Sequence, residues 1–133
     1  MKSYTDIEQS KKLAEFLPIE SADMWWNFYS VTIDDTTPQI IHLDIPWVGN
    51  FNWDNKPDNV PCWSLETLLN IIPYAIHKSD NEFYRLGIDK GYNDYAIWYS
   101  NNGLTINNLD VTSDNFVDAC VEMIIKLHEQ NLL

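Results

Sequence analysis

The period of the hydrophobic pattern changes four times along the chain, and that order limits the fold more than any other feature does. Apolar residues fall at helical spacing over residues 6–17 and alternate with polar ones over 24–45. They return to helical spacing over 65–72, alternate again over 83–106, and close at helical spacing over 114–130. The order helix, hairpin, helix, meander, helix predicts an α+β fold: an antiparallel sheet, hairpin plus meander, with about three helices packed mainly on one face. With 133 residues, no internal repeat and no linker, one domain over 1–133 with a single core is expected.

The punctuation between these stretches sets the element ends. Thr5-Asp6-Ile7-Glu8 has the form of a capping box, with the Thr5 hydroxyl and the Glu8 carboxylate each satisfying a helix-start amide, and Pro18 ends that helix. A strand is expected from Met24 to Ile33, a turn at Asp34–Pro38, and a partner strand in which Ile41, Leu43 and Ile45 alternate with Ile40, His42 and Asp44. Residues 46–61 hold Pro46, Gly49, Pro57 and Pro61 among many Asn and Asp and read as a long loop, which Trp47, Phe51 and Trp53 either pin to the core or present to a partner.

Ser64 is placed to cap a short helix, Leu65–Ile72, whose stripe is Leu65, Leu68, Leu69 and Ile72, with Pro73 as its stop. The meander is expected as Phe83–Ile88, Tyr95–Tyr99 and Leu104–Ile106, with Gly91 supplying a positive φ in the first turn and Asn102-Gly103 leading into the third strand. The last helix, about Asp114–Gln130 with Thr112 or Ser113 as its cap, buries Phe116, Val117, Cys120, Met123, Ile124 and Leu127.

Charge narrows the function classes. Twenty acidic residues stand against eight basic ones, a net charge of −12, and Arg85 is the one arginine, so direct binding to nucleic acid is opposed and a basic protein partner is favoured. Solubility alone would explain the same balance. No apolar run approaches the roughly 20 residues of a membrane-spanning helix, and the opening MKSYTDIEQSKKLAEFL has no signal-peptide core, so a cytoplasmic protein without membrane contact is expected. The thiols Cys62 and Cys120 would stay reduced there. Four glycines in all leave no room for a phosphate-cradling loop, and no cofactor is expected. His42, His77 and His128 lack zinc-site spacing, and Asp54 and Asp58 lack the calcium-loop pattern, so no metal is expected either.

Three groups of residues remain as candidates. Asp114, Asp118 and Glu122 recur every four residues on the last helix and form a carboxylate stripe ending at Lys126, which is either a solvated face or an acidic ridge for a basic partner. Of six tryptophans, Trp63 and Trp98 lie in predicted elements and are expected in the core, whereas Trp25, Trp26, Trp47 and Trp53 suit core or interface equally. Cys62, at a helix entrance that would lower its pKa, could be paired with His77 or His42 as a nucleophile, although packing as a small hydrophobe is the simpler reading.

The segment Pro61-Cys62-Trp63-Ser64-Leu65-Glu66-Thr67-Leu68-Leu69-Asn70-Ile71-Ile72-Pro73 resembles the P-x-W-S-L-x-x-L-L-x-x-x-P motif of small proteins encoded by gut anaerobes and their phages or integrated elements. Thr5–Leu17 with Ser21-Ala22-Asp23-Met24 is similar to that family's opening, and Asn115–Cys120 with Glu129-Gln130-Asn131 to its N-P-V-D-A-x close, Phe116 standing where the family has proline. The resemblance implies a mobile-element setting and brings no catalytic residue or ligand. The expected function is therefore a non-enzymatic acidic accessory or interaction protein, with Trp47, Trp53, Asp114, Asp118 and Glu122 as its contact surface. Its rivals are an inhibitor imitating nucleic-acid charge and a small hydrolase using Cys62 or a carboxylate.

Overall fold

The computed structural model describes residues 2–31, 39–42, 45–49 and 59–133. The fold is α+β: among the described residues there are three α-helices, and the paired strands are antiparallel. The chain divides into two compact units, Tyr4–Ser64, and Leu65–Leu133 together with Met1–Ser3.

In the Tyr4–Ser64 unit, α1 spans Ile7–Ala14 and a single 3₁₀ turn follows at Ile19–Ser21. The helix starts one residue later than its sequence suggests. Asp6 is the N-cap, its carboxylate accepting from the Gln9 amide while the Gln9 side chain accepts from the Asp6 amide, so the capping box is Asp6/Gln9 rather than Thr5/Glu8. Thr5 is fully buried instead. Its hydroxyl accepts from the Trp63 amide at 3.1 Å and shares a 2.7 Å bond with Ser10 Oγ, while its own amide donates to Trp63 O at 3.0 Å. A threonine so occupied has no hydroxyl left for a helix end.

Three short strands, β1 (Met24–Trp26), β4 (Trp47–Val48) and β5 (Val60–Cys62), form a sheet in the order β4-β1-β5, and β2 (Phe28–Val31) pairs with β3 (Gln39–His42) from Phe28↔His42 to Val31↔Gln39. The expected hairpin is thus present, although its first strand is interrupted at Asn27. The turn Asp34–Pro38, Ile33, Leu43 and Asp44 lie outside the described residues. The stretch expected as one long loop contributes β4 and β5 at its two ends, and Pro61 is accommodated because β5 is an outer strand of its sheet. Met24, Trp26 and Cys62 form the buried centre, with Tyr4, Ile7, Phe28 and Val60 packed around it.

In the other unit, α2 (Leu65–Ile71) packs on α3 (Phe116–Glu129), and α3 lies on a four-stranded meander, β6 (Ala75–Ser79), β7 (Glu82–Lys90), β8 (Tyr95–Asn101) and β9 (Leu104–Ser113), in that spatial order. The strand β6 was not expected. Leu68 and Ile72 of the α2 stripe are buried. The N-cap of α3 is Asn115, which accepts from the Asp118 amide at 3.1 Å, rather than Thr112 or Ser113, which β9 takes up. Val117, Cys120, Met123, Ile124 and Leu127 are fully buried as expected, and Phe116 is half-buried with its ring 4.9 Å from Tyr95.

Asn102 and Gly103 both take positive φ, 51° and 82°, as a tight β8–β9 turn requires. Gly91 does not take the positive φ expected of it. Its reason is space, since a Cβ there would fall on the Asp94 carboxylate.

Alternation in the meander gives its two faces different surroundings. Ile97, Tyr99 and Val111 are buried on the face that carries α3, and Ala96, Trp98, Asp110 and Thr112 point the other way, from half-buried to exposed.

Candidate functional site

Trp47 sits on β4, an outer strand of its sheet, paired with Trp25 and with its ring 6.0 Å from that of Trp25. It is 49% exposed, with Val48 at 80% beside it and Ile45 at 67% beyond the buried Pro46, so three apolar side chains of this segment face solvent. The backbone turns away at Gly49, whose φ of +131° and close approach to Trp25 both favour glycine, and whose amide donates to Asp23 O. Trp53, the other predicted aromatic contact, lies outside the described residues, as do Phe51, Asp54 and Asp58.

The carboxylate stripe of α3 is partly neutralised. Lys2 Nζ lies 2.7 Å from Asp118, and Lys126 Nζ lies 3.7 Å from Glu122 one turn on, leaving Asp114 exposed ahead of the N-cap. Surface pairs of this kind contribute little stability, but they weaken the field that an acidic ridge would present.

The helix-entrance thiol is not activated. Cys62 is fully buried, and desolvation pushes its pKa up to about 11 despite a hydrogen bond donated by the Thr5 hydroxyl that favours the thiolate. The expected lowering is overturned because burial disfavours the thiolate more than its hydrogen bonds favour it. Ser64, which was read as the α2 cap, donates its hydroxyl to Asp23, whose other oxygen accepts from the Ser64 amide. Cys120 is likewise buried and pushed up to about 12. His77 is exposed against the Phe83 ring and His128 is exposed near the end of α3; the side chain of His42 is outside the described set. Among the described residues no three of His, Cys, Asp and Glu gather at metal-binding range. Nor is any described helix long and apolar enough to cross a membrane.

One concavity among the described residues was not foreseen in the sequence. It is a groove of about 690 Å³ on the helix-free face of the meander, bordered by Ala96, Trp98, Thr105, Asn108, Asp110 and Thr112. Its origin is a wide bulge. Trp98 pairs with Asp110 and Ser100 with Thr105, so residues 106–109 of β9 run opposite the single residue Tyr99. Ile106 and Leu109 within the bulge are buried, and Asn108 takes a φ of +68°. Two side chains from the end of α3 hold the excursion in place, Gln130 Nε2 donating to Asn108 O at 3.4 Å and Lys126 Nζ donating to Asp110 O at 3.1 Å.

Trp98, expected in the core, borders this groove instead. Its indole lies over Gly87 of β7, where any Cβ would collide with it, and by leaning toward β7 it leaves the space above β9 open. The sequence signal was the pair Asn107-Asn108 inside an otherwise alternating stretch, since Asn is the non-glycine residue that most readily adopts positive φ.

No protein-family model, curated protein or solved structure matches the chain.

Proposed function

We propose that this chain is a non-enzymatic, acidic interaction protein that acts in the cytoplasm, in a phage or mobile-element setting, by docking a protein partner on the apolar strip Ile45–Val48. The observation that supports it most is the exposure of Trp47 and Val48 on an outer strand, with Ile45 exposed just before that strand, in a chain of net charge −12. A partner suited to this surface offers an apolar pocket for the Trp47 indole within a basic surround, so that charge speeds encounter and the indole holds the complex. The inhibitor reading is weaker, because lysines already partner Asp118 and Glu122. The thiol form of the hydrolase reading is weaker as well, because Cys62 is buried, while the loop carboxylates Asp54 and Asp58 of its other form lie outside the described residues.

Affinity capture from host lysate at low and high salt tests this, comparing the wild type with Trp47→Ala/Val48→Ser and with Asp114→Asn/Asp118→Asn/Glu122→Gln. One stoichiometric partner, lost from the first variant and kept by the second, is the expected result. A partner indifferent to Trp47 and Val48, or none at either salt, overturns the proposal.

A further inference from the structure

We infer that the bulge groove on the helix-free face of the meander is a second binding site, and that its ligand is a neutral polyhydroxylated ring of the pyranose type. The lining selects this chemistry. Thr105 and Thr112 supply hydroxyls, Asn108 an amide, Asp110 a carboxylate and Trp98 an aromatic surface around one opening, above a floor that includes the buried Ile97, Ile106 and Val111. A planar carboxylate or amide engages adjacent hydroxyls of a sugar two at a time, and an indole covers the apolar C–H face that a pyranose presents.

The same lining disfavours the other small-ligand classes. Asp110 is the one charged side chain bordering the groove, so a phosphate or carboxylate would meet a negative charge and no cation of the lining. An organic cation finds one carboxylate but a single aromatic ring, where cation recognition relies on several rings and full desolvation. A purely apolar ligand would strip water from the Thr, Asn and Asp groups without replacing their hydrogen bonds.

The site is also held in shape before any ligand arrives. Gln130 and Lys126 fix the carbonyls of Asn108 and Asp110, the neighbouring Leu109 is locked in the core, and Gly87 sets where the indole rests. Preorganisation matters for sugars, whose recognition has little hydrophobic driving force to offset the ordering of loose side chains.

The test is a titration of isotope-labelled full-length protein with cellobiose, maltose and N,N′-diacetylchitobiose, followed by the backbone amides of residues 104–112 and the Trp98 indole N–H. Glucose 6-phosphate and spermidine serve as anionic and cationic comparators. At least one neutral disaccharide is expected to give saturable shifts confined to these signals, with affinity in the millimolar range. Asp110→Ala should weaken it about tenfold, the loss expected for one hydrogen bond to a charged group. Thr112→Val, which keeps the shape and removes the hydroxyl, should weaken it severalfold, and native amide spectra of both variants will separate loss of binding from loss of fold. Saturable shifts here with glucose 6-phosphate or spermidine but with no neutral sugar overturn the assignment. So does the absence of saturable shifts with every probe, and so does sugar binding that both variants leave intact.

Discussion

The two faces of the meander are built from the same strands and differ in almost everything else. On one, Ile97, Tyr99 and Val111 meet the fully buried Val117, Cys120, Met123 and Leu127 layer of α3. On the other, the residues next along each strand, Ala96, Trp98, Asp110 and Thr112, border an open groove. Each side chain of the closed face is fixed by neighbours that leave no space, so its chemistry is constrained to apolar volume. The open face is less constrained: Asp110 and Thr112 are exposed, and Trp98 is half-buried with its indole packed over Gly87. The lesson is that period-2 alternation separates, residue by residue, what holds this unit together from what it has to offer a ligand.

The sharpest way to break the comparison is a truncation on the closed side. Leu109 is fully buried although it lies within the bulge, and Leu109→Ala should cost about 2–5 kcal/mol by lost burial and the cavity left behind. Urea unfolding will measure it. A cost below about 1 kcal/mol would mean that the bulge is not anchored in the core and that the two faces are not distinct at this point.

A second effect in this unit belongs to the closed side, and the buried Cys62 of the other unit, pushed up to about 11, adds to it in the same direction. Burial pushes the Cys120 thiol up to about 12, and the Tyr99 phenol is raised for the same reason. Both groups bind their protons more tightly in the folded chain, so their contribution is complete below the unfolded thiol value of about 8.5 and is lost as pH rises toward the folded values. Unfolding free energy should therefore stay flat to about pH 8 and then fall, with one thiol contributing at most about 1.4 kcal/mol per pH unit. Cys120→Ala should make the decline shallower. An unchanged slope in that variant would place the thiol in contact with water.

How far the faces were legible in the sequence follows from the same physics. The closed face was read well: the α3 positions from Val117 to Leu127 were expected buried from 3.6-residue spacing and are, and Asn102-Gly103 announced its turn through the positive φ that such turns need. Helix ends were read less well. Thr5, Asp6, Ser113 and Asn115 are all acceptable caps, and tertiary contacts decided among them, as when Trp63 claimed the Thr5 hydroxyl. Of the candidate contact residues, Trp47 proved exposed, while Asp118 and Glu122 proved paired with Lys2 and Lys126, and only the second of these pairings lies within helical reach. The groove was the least legible feature. It depends on a register shift that places Asp110, not a residue nearer the turn, beside Trp98, and no local pattern encodes how many residues a bulge will absorb.

Gly87 joins the two faces and gives an intermediate effect. It is paired directly with Trp98, and the indole occupies the space where its side chain would be. Gly87→Ala should cost about 1–3 kcal/mol, since the methyl group must displace the indole or shift the strand. An indole displaced toward β9 would narrow the groove, and the Trp98 indole N–H resonance will report the move. An unshifted resonance would show that the groove does not depend on where Trp98 leans.

The smallest expected effect is the most informative about the open face. Asp110→Ala and Thr112→Val change exposed side chains that no buried neighbour constrains, so each should alter unfolding free energy by no more than about 0.5 kcal/mol. Lys126 is bonded to the Asp110 carbonyl rather than to its carboxylate, so that tether survives the substitution. If the two variants are nearly as stable as the wild type while sugar-induced shifts weaken, these groups serve a ligand and not the fold. A loss of several kcal/mol from either would instead make the carboxylate or the hydroxyl a structural support of the bulge. The open face would then be a second load on stability rather than a surface free to bind.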